Sequence, residues 1–538
     1  MNPIQKGLHR LQTGSMSLTN DWQTIQLARV IRARAIVHVT QNPVIFFNAS
    51  TRIRGHSLNA AFSLLASWAV RLQGTPVVHF VCQAGMSRCL QGTNQDDIYQ
   101  SMPCRLCLRQ SRANFWASTT NYFNFKRDEV LSEALAGLNI QALVQYEHPF
   151  EQVKIPLGEL VLPSVRWRLR RLSLEDDEPT RFLVREFILS ALNVVYEFDR
   201  LLERTNPQAI VLFNGQTFPE AAVYWLAARR GVRAITHEVS MYPLSGFFTA
   251  GQATALPMHM DENFELDPKE NTRLDELMQN RYKGKFSMAG IRFFPEMKGL
   301  DEAFLQKAAG FNQIVPIFTN VIFDTTQQHS NAFFPDMFTW LDRVLEVIKK
   351  HPETLFVIRA HPDETRAGKV SRESVAMWVK QTGAAGLSNF VFIAPDEYIS
   401  SYELIRIAKF IMIYNSTIGL ESSIMGVPVL CAGSARFTDF GTVFFPDSAE
   451  AYFIQLEKFL STNKLKIPPD HTRNSRRFFY FHYFLASLRF GEFLEPTAQR
   501  GFVKLKKFPL QLLSVSASPT ISALVDGILD NGNFLLKE

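Results

Sequence analysis

The sequence predicts an α/β protein with two doubly wound, Rossmann-like domains that face a cleft, and with a helical, cysteine-rich insertion in the first domain. Apolar runs of strand length alternate with runs of helical periodicity in both halves, which is typical of parallel sheets. Polar residues directly follow these strands, at the edge where open parallel sheets bind ligands. The length of 538 residues is too great for one core. We place the domains at 1–305, 306–470 and 471–538, the last being an aromatic helix and tail that packs back on the other two.

Composition limits the class of protein. Hydrophobic residues make up 46% and charged residues 20% of the chain, as in a folded protein. The net charge of +6 is small for this length, so we expect no nucleic-acid partner, although an anionic ligand or a membrane surface is compatible with it. The longest uncharged apolar runs, 60–70 and 478–488, are shorter than the ~18 residues of a membrane span. The N-terminal stretch lacks the apolar core of a signal peptide. We therefore predict a cytoplasmic protein, and peripheral contact with the inner face of the membrane stays open.

A first βαβ unit begins the first half of the chain. A strand at 42–48, a helix at 58–72 and a strand at 76–82 follow one another, which favours a parallel sheet with a right-handed crossover. The loop after the first strand carries basic side chains that could hold an anionic acceptor. These are Arg52, Arg54 and His56. A merely solvated basic loop is the alternative.

A second unit follows further along the first half. A strand at 209–213, a helix at 219–230 and a strand at 232–236 repeat the pattern. Asn214 comes directly after one of these strands and Glu238 after the other. We assign Asn214 to the acceptor side with the basic loop. Glu238 is our candidate for a general base, and a surface carboxylate or a partner of Arg233 is the alternative.

Four of the five cysteines lie within one short segment of the first half. They are Cys82, Cys89, Cys104 and Cys107. The last two form a C-x-x-C pair with the spacing of a zinc knuckle. Our hypothesis is a structural zinc site with four cysteine ligands. A redox pair or four buried thiols are the alternatives.

A hydroxyl-rich loop follows a buried strand in the second half. The strand at 410–414 leads into Asn415, Ser416 and Thr417, and a short helix at 418–425 follows. Free N–H groups at such a helix start favour an anion, and Glu421, one turn further on, could reach a sugar hydroxyl. A capped helix without a ligand is the alternative.

His361 follows another predicted strand, 354–360, and should meet the same edge of the second sheet. An imidazole beside a helix start can hold a phosphate, although a strand-end histidine with a local hydrogen bond is equally compatible. No G-x-G-x-x-G follows a strand, and G-x-x-x-x-G-K-[S/T] is absent from the sequence. Dinucleotide-binding and P-loop sites are therefore disfavoured.

Two stretches carry a resemblance to a known family. RAHPDE at 359–364 and NSTIGLESSIMGVPVLCAG at 415–433 resemble the bacterial capsule polysaccharide biosynthesis family, which includes Kdo transferases of the GT-B fold. The resemblance implies that His361, Ser416 and Thr417 contact a donor phosphate, and that Glu421 contacts the nucleotide. It adds Asn415 and Gly419 to the donor-binding segment. The pairing of His-Pro with Ser/Thr is also similar to sialyltransferases that use CMP-sugars, so CMP or UDP is the favoured nucleotide.

The resemblance implies a glycosyltransferase that moves a sugar from a nucleotide-sugar donor to a surface or capsular polysaccharide or a glycolipid. Glu238 and His361 are the expected catalytic residues, and Asp96–Asp97 is a second choice for the base. We expect no catalytic metal, because Asp-x-Asp follows no strand of the second half. A nucleotide-sugar epimerase of similar architecture and a non-catalytic glycan-assembly protein are the alternatives.

Overall fold

The structure is a computed structural model that describes residues 3–49, 53, 55–285, 297–366, 370–499 and 501–537, with the backbone alone for residues 3–18. Its two largest sheets confirm the predicted fold class. In the first sheet, Ile45 packs into one core and Phe46 into another. In the second sheet, Phe356 and Val357 divide in the same way. Successive strand residues point to opposite faces, so both sheets are covered on both faces, as in doubly wound folds.

The strands and helices of the first half of the chain alternate. The strands are β1 (Val44–Phe47), β2 (Val77–Cys82), β3 (Thr119–Phe123), β4 (His148–Phe150), β5 (Val153–Ile155), β6 (Ala209–Phe213), β7 (Ala234–Val239) and β8 (Ser245–Thr249). The helices are α1 (Pro3–Arg34), α2 (Leu58–Leu72), α3 (Cys104–Asn114), α4 (Glu129–Ala136), α5 (Ile140–Val144), α6 (Leu157–Leu169), α7 (Glu178–Thr205), α8 (Glu220–Arg229) and α9 (Pro268–Tyr282). Side-chain caps set several helix starts. Ser57 accepts from the Ala60 N–H before α2, and Asp267 and Glu270 form a capping box before α9.

The second half forms the other large sheet. Its strands are β9 (Gln313–Phe318), β10 (Thr354–Arg359), β11 (Phe390–Ile393), β12 (Ile411–Ile413) and β13 (Val429–Cys431). Its helices are α10 (Glu302–Ala309), α11 (Gln327–Ser330), α12 (Met337–Lys350), α13 (Val375–Thr382), α14 (Ser401–Arg406), α15 (Ile418–Ile424) and α16 (Ala449–Ser461). The strand order is β11-β10-β9-β12-β13, and all the pairings are parallel.

The last part of the chain contacts both halves. It comprises α17 (Pro469–Tyr480), β14 (Leu488–Arg489), β15 (Leu494–Pro496), β16 (Val503–Leu505) and α18 (Pro519–Leu529). Helix α17 packs against α15 and α9, whereas β14 extends the first sheet, whose order is β14-β8-β7-β6-β1-β2-β3. Phe478, Phe479 and Tyr480 are buried in protein. None of the helices in the described ranges combines the length and apolarity that a membrane span requires.

Two predicted elements end earlier than the sequence suggests. The apolar run 314–323 predicts one strand, but the strand leaves the sheet after Phe318, because 319–324 turns away and closes with the Asp324 N–H donating to the Val321 carbonyl (3.1 Å). The aromatic and basic run 473–490 predicts one helix, but the helix becomes a π-turn at Phe481–Leu485, and the chain then joins the first sheet as β14. From about residue 246 the sequence predicts loop and short helix, whereas the structure has strand β8 there, which pairs antiparallel with β7.

Candidate active site

Each large sheet has a cavity at the point where its strand order reverses. In the second sheet this point lies between β9 and β12, and a cavity of about 850 Å³ is lined by residues that follow β9, β10 and β12. In the first sheet it lies between β1 and β6, where a cavity of about 440 Å³ is lined by residues from the ends of β1, β6 and β7. Ligands of open α/β sheets bind at these switch points.

The two cavities share part of their walls. Thr254 and Leu256 come from the first half, and Asp324, Thr326 and Arg436 come from the second half. The cavities are therefore neighbouring compartments of one cleft. A molecule in the larger compartment would lie beside a molecule in the smaller one.

His361 lines the larger cavity directly after β10, as expected. Its Nδ1 accepts a hydrogen bond from the Asp363 N–H (3.1 Å) at the start of a short 3₁₀ turn. A neutral imidazole with Nδ1 as acceptor carries its proton on Nε2. The local hydrogen bond and the position in the cavity therefore occur together.

The loop of Asn415, Ser416 and Thr417 also lines the larger cavity. The hydroxyl of Thr417 does not cap α15, which has only seven residues, and instead accepts from Arg436 Nη2 (3.3 Å). Asn415 donates to the hydroxyl of Ser330 and accepts from Gln327 Nε2 (3.4 Å). The loop is thus held on both sides by the cavity wall.

Gly419 has a packing role in the structure. A Cβ at this position would lie 2.3 Å from Cδ1 of Ile413, so α15 approaches β12 closely only because the side chain is absent. The structure therefore gives Gly419 a reason to be glycine that does not involve a donor.

Glu421 faces the larger cavity, but its carboxylate is already engaged. It pairs with Arg281 and accepts a hydrogen bond from the hydroxyl of Tyr402, and both charged side chains are 3% exposed. The expected contact of Glu421 with a nucleotide would have to compete with these partners. The ion pair also fixes α9 against α15.

Glu238 lies in β7 and lines the smaller cavity. Its carboxylate accepts from Asn59 Nδ2 (3.0 Å), the Val239 N–H (2.8 Å) and Asn214 Nδ2 (3.4 Å). Burial raises the pKa of Glu238, and the charge of Asp324 raises it further. A carboxyl with a raised pKa that is also held in position has the properties of a general base.

Asn214 and Asn59 hold this carboxylate in place. Asn214 is buried, and its Oδ1 accepts from the N–H groups of Gln216 (3.0 Å) and Thr217 (3.1 Å), which turns its amide nitrogen towards Glu238. Asn59 Oδ1 lies 3.3 Å from Nδ1 of His237, and burial lowers the pKa of this histidine to about 3. His237 therefore stays neutral, and no imidazolium faces the base.

The structure does not place His56 in the wall of either cavity. Its ring is fully buried, with Nε2 2.8 Å from Asn114 Oδ1 and Nδ1 3.1 Å from Asn20 Nδ2, and burial lowers its pKa. Arg52 and Arg54 lie outside the described residues. Asp96, the second choice for the base, points to Arg372 (3.4 Å) on the surface instead of into the cleft.

Sequence reasoning missed Arg436 and Asp324 as cleft residues. Arg436 lines both compartments, and burial lowers its pKa to about 10 although Asp324 favours its charge. Asp324 accepts from the N–H (3.0 Å) and hydroxyl (2.9 Å) of Thr326, which fixes the turn after β9. The sequence features that could have identified them are the apolar run directly before Asp324 and the glycine at 433 shortly before Arg436.

The four clustered cysteines line one small cavity of about 30 Å³ beneath the smaller compartment. Burial raises the pKa of each of the four thiols. Within the described ranges, no three His, Cys, Asp or Glu side chains stand together in the arrangement of metal ligands. The zinc hypothesis is therefore not confirmed by the arrangement of these side chains.

A family model matches the segment that supplies most of the larger cavity. The model describes capsule polysaccharide biosynthesis proteins and matches residues 302–444, which include His361 and the 415–417 loop. The resemblance expected from the two motifs is confirmed by this match. No curated protein matches the chain.

Solved structures similar to the chain include a Kdo transferase, a UDP-GlcNAc 2-epimerase and a sucrose-phosphate synthase. The KpsC β-Kdo 2,4-transferase of Thermosulfurimonas dismutans has 11% identity and a TM-score of 0.35, with 56% of this chain and 84% of that one covered. The UDP-GlcNAc 2-epimerase of Neisseria meningitidis, bound to UDP-GlcNAc, has 13% identity and a TM-score of 0.24, with 82% and 98% covered. The sucrose-phosphate synthase of Thermosynechococcus elongatus has 10% identity and a TM-score of 0.29, with 82% and 95% covered.

Proposed function

We propose that this protein is a glycosyltransferase that moves a sugar from a nucleotide-sugar donor to a surface-glycan acceptor. The observation that carries the proposal is the pair of adjoining cavities at the two switch points, with Asp324 and Arg436 in the wall that both share. A transferase of two substrates needs two neighbouring compartments whose ligands meet. The family match of residues 302–444 favours a capsular or related surface glycan as the acceptor.

The larger compartment is the proposed donor site. The guanidinium of Arg436 and the Nε2–H of His361 both line it and can bind the phosphates of a nucleotide. The hydroxyls of Ser416 and Thr417 add neutral donors on the same wall. CMP and UDP remain the favoured nucleotides, and the choice between them is left to the binding experiment.

The smaller compartment is the proposed acceptor site, with Glu238 as the base. Glu238 removes the proton of the acceptor hydroxyl, and the oxygen attacks the anomeric carbon of the donor sugar. The bond from that carbon to the phosphate oxygen breaks, and the electron pair leaves with the nucleotide. Arg436 and His361 stabilise the developing charge, and the proton stays on Glu238 until the product leaves.

Thermal unfolding with CMP, UDP, GDP and ADP tests the donor site. A nucleotide at a hundredfold excess over its Kd stabilises the folded state by about 2.7 kcal/mol. We expect one nucleotide to raise the melting temperature of the wild type and to lose this effect in Arg436→Met and His361→Ala. A folded protein that none of the four stabilises would count against the transferase and in favour of a non-catalytic glycan-assembly protein.

Glu238→Gln tests the chemistry separately from donor binding. The amide keeps the shape of the side chain but cannot take the proton, so we expect normal nucleotide stabilisation and a loss of transfer of at least about 100-fold. The readout is nucleotide release from the bound nucleotide-sugar, with and without a glycolipid acceptor. Conversion of the donor sugar without any acceptor would point to an epimerase instead.

A further inference from the structure

The four clustered cysteines come from three parts of the chain that meet around one small cavity. Cys82 ends β2, Cys89 lies in the following loop, and Cys104 and Cys107 lie in the first turn of α3. All four line the cavity of about 30 Å³. Four half-buried cysteines around one cavity are a stronger signal than C-x-x-C spacing alone, because the fold brings the two pairs together.

Backbone N–H groups donate hydrogen bonds to two of these sulfurs. The Gly85 N–H donates to Cys82 Sγ (3.1 Å), and the Gly92 N–H donates to Cys89 Sγ (3.1 Å). Both contacts lie in C-x-x-G turns. A Cβ on Gly92 would lie 3.0 Å from Cys89 Sγ, so this turn closes tightly on its sulfur. N–H groups aimed at sulfur stabilise a thiolate more than a thiol.

Two arginines add positive charge beside the cluster. Arg168 is only 9% exposed and lies close enough to Cys89 to interact with it electrostatically. Its Nε is buried and has no hydrogen-bond partner among the described residues. Arg88 interacts electrostatically with Cys104 and is held by the carbonyls of Ile98 (2.9 Å) and Tyr99 (3.0 Å). Two fixed cations suit a centre with two negative charges.

We propose that Cys82, Cys89, Cys104 and Cys107 bind one zinc ion and that this centre fixes the wall of the acceptor compartment. One Zn²⁺ displaces four thiol protons and leaves a tetrathiolate of net charge −2 beside Arg88 and Arg168. Because the four sulfurs do not already stand in the arrangement of metal ligands, binding requires the cysteine side chains to turn towards the ion.

The position of the centre links it to the cleft. Leu90 and Gln91 follow Cys89 and line the smaller compartment, and Asn114 and Phe115, at the far end of α3, line it too. The same loop reaches the second half of the chain, where Arg372 donates to the Gln95 carbonyl (3.1 Å). Because the larger compartment is built from other elements, loss of the metal should change acceptor use and leave donor binding intact. This second part rests on the proposed function.

Metal content tests the site independently of any activity. We expect one zinc per chain by mass spectrometry of the purified protein, with four protons released per zinc when the reduced apoprotein is titrated. Cys107→Ser should lose the zinc, whereas Cys431→Ser should keep it, because the buried Cys431 sulfur bonds to carbonyls in the second half. Zinc retained in Cys107→Ser, or four thiols that bind no zinc, overturns the proposal. Iron with acid-labile sulfide in place of zinc also overturns it.

A spectroscopic experiment covers the case in which Cys107→Ser does not fold. Replacement of the metal in the wild type with Co²⁺ should give the intense sulfur-to-metal and visible bands of a tetrahedral tetrathiolate site. Weak bands typical of oxygen or nitrogen ligands would refute the assignment. In the metal-free wild type, we expect unchanged nucleotide stabilisation and a raised KM for the acceptor. Loss of nucleotide stabilisation would overturn the link to the acceptor compartment alone.

Discussion

The buried ion pair of Glu421 and Arg281 gives the sharpest test of the second half of the structure. Both side chains are 3% exposed, and Tyr402 donates to the same carboxylate. Glu421→Gln keeps the volume but leaves the Arg281 charge buried without its counter-ion. Removing one partner of a buried pair typically costs about 3–5 kcal/mol. We expect a loss of that size in the free energy of unfolding.

Urea titrations of the wild type and the variants measure this loss from the midpoint and slope. Glu346→Gln is the matched control, because its pair with Lys349 is exposed to solvent and should contribute little to the free energy of unfolding. Arg281→Met combined with Glu421→Gln should recover much of the loss, since no charge then remains buried. A cost of Glu421→Gln below about 1 kcal/mol, or additive effects in the double variant, would refute the reasoning.

Three further predictions concern single residues. Burial raises the pKa of Glu364 from 4.5 to about 8, so the folded state keeps a proton that the unfolded state releases, and stability falls as the pH rises from about 4.5 to 8. The free energy of unfolding of Glu364→Gln should therefore rise relative to that of the wild type across that range, by at most about 4 kcal/mol at pH 8. Urea titrations at several pH values measure this difference. Asp324→Asn removes a charge that raises the pKa of Glu238, so the acidic limb of the kcat/KM profile for transfer should move to lower pH; an unmoved limb contradicts this. Gly419→Ala should lower stability by about 1–3 kcal/mol because its Cβ would lie 2.3 Å from a side-chain methyl of β12, whereas Gly386→Ala, with open space, should change little in the same titration.

The order of strands and helices could be predicted because each strand is a short apolar run followed by polar residues. Phe410–Tyr414 and the loop after it illustrate this, since the run is buried and the loop reaches the cavity. The ends of strands and helices were harder to predict where tertiary contacts determine them. Residues 319–323 are nearly as apolar as β9, yet they leave the sheet to form the cleft wall.

Site residues could be predicted where local pattern and topology coincide. His361 and Glu238 end or follow strands, and both line the cleft. His56 has the same local pattern but turns inward to Asn20 and Asn114, which are distant in sequence. Arg436 was missed for the opposite reason, because its place in the cleft depends on contacts with Thr417 and Asp324 that no local pattern encodes.

The chain passes between its two halves at neighbouring places. Residues 250–267 lead from β8 to α9, which contacts the second half through the ion pair of Arg281 with Glu421, and the π-turn at 481–485 leads from α17 back to β14. These crossings touch, since the rings of Phe264 and Phe481 lie 5.6 Å apart and Arg477 donates to the Phe264 carbonyl.

Two neighbouring crossings of this kind restrict how one half of the structure can rotate relative to the other. A rotation about an axis through both crossings strains neither, whereas a twist about any other axis would pull them apart. Contacts remote from that axis then move furthest when the cleft opens. The surface contact of Arg372 with Gln95 and Asp96 joins the halves away from both crossings. Because this contact is exposed to solvent and weak, it would break early when the cleft opens.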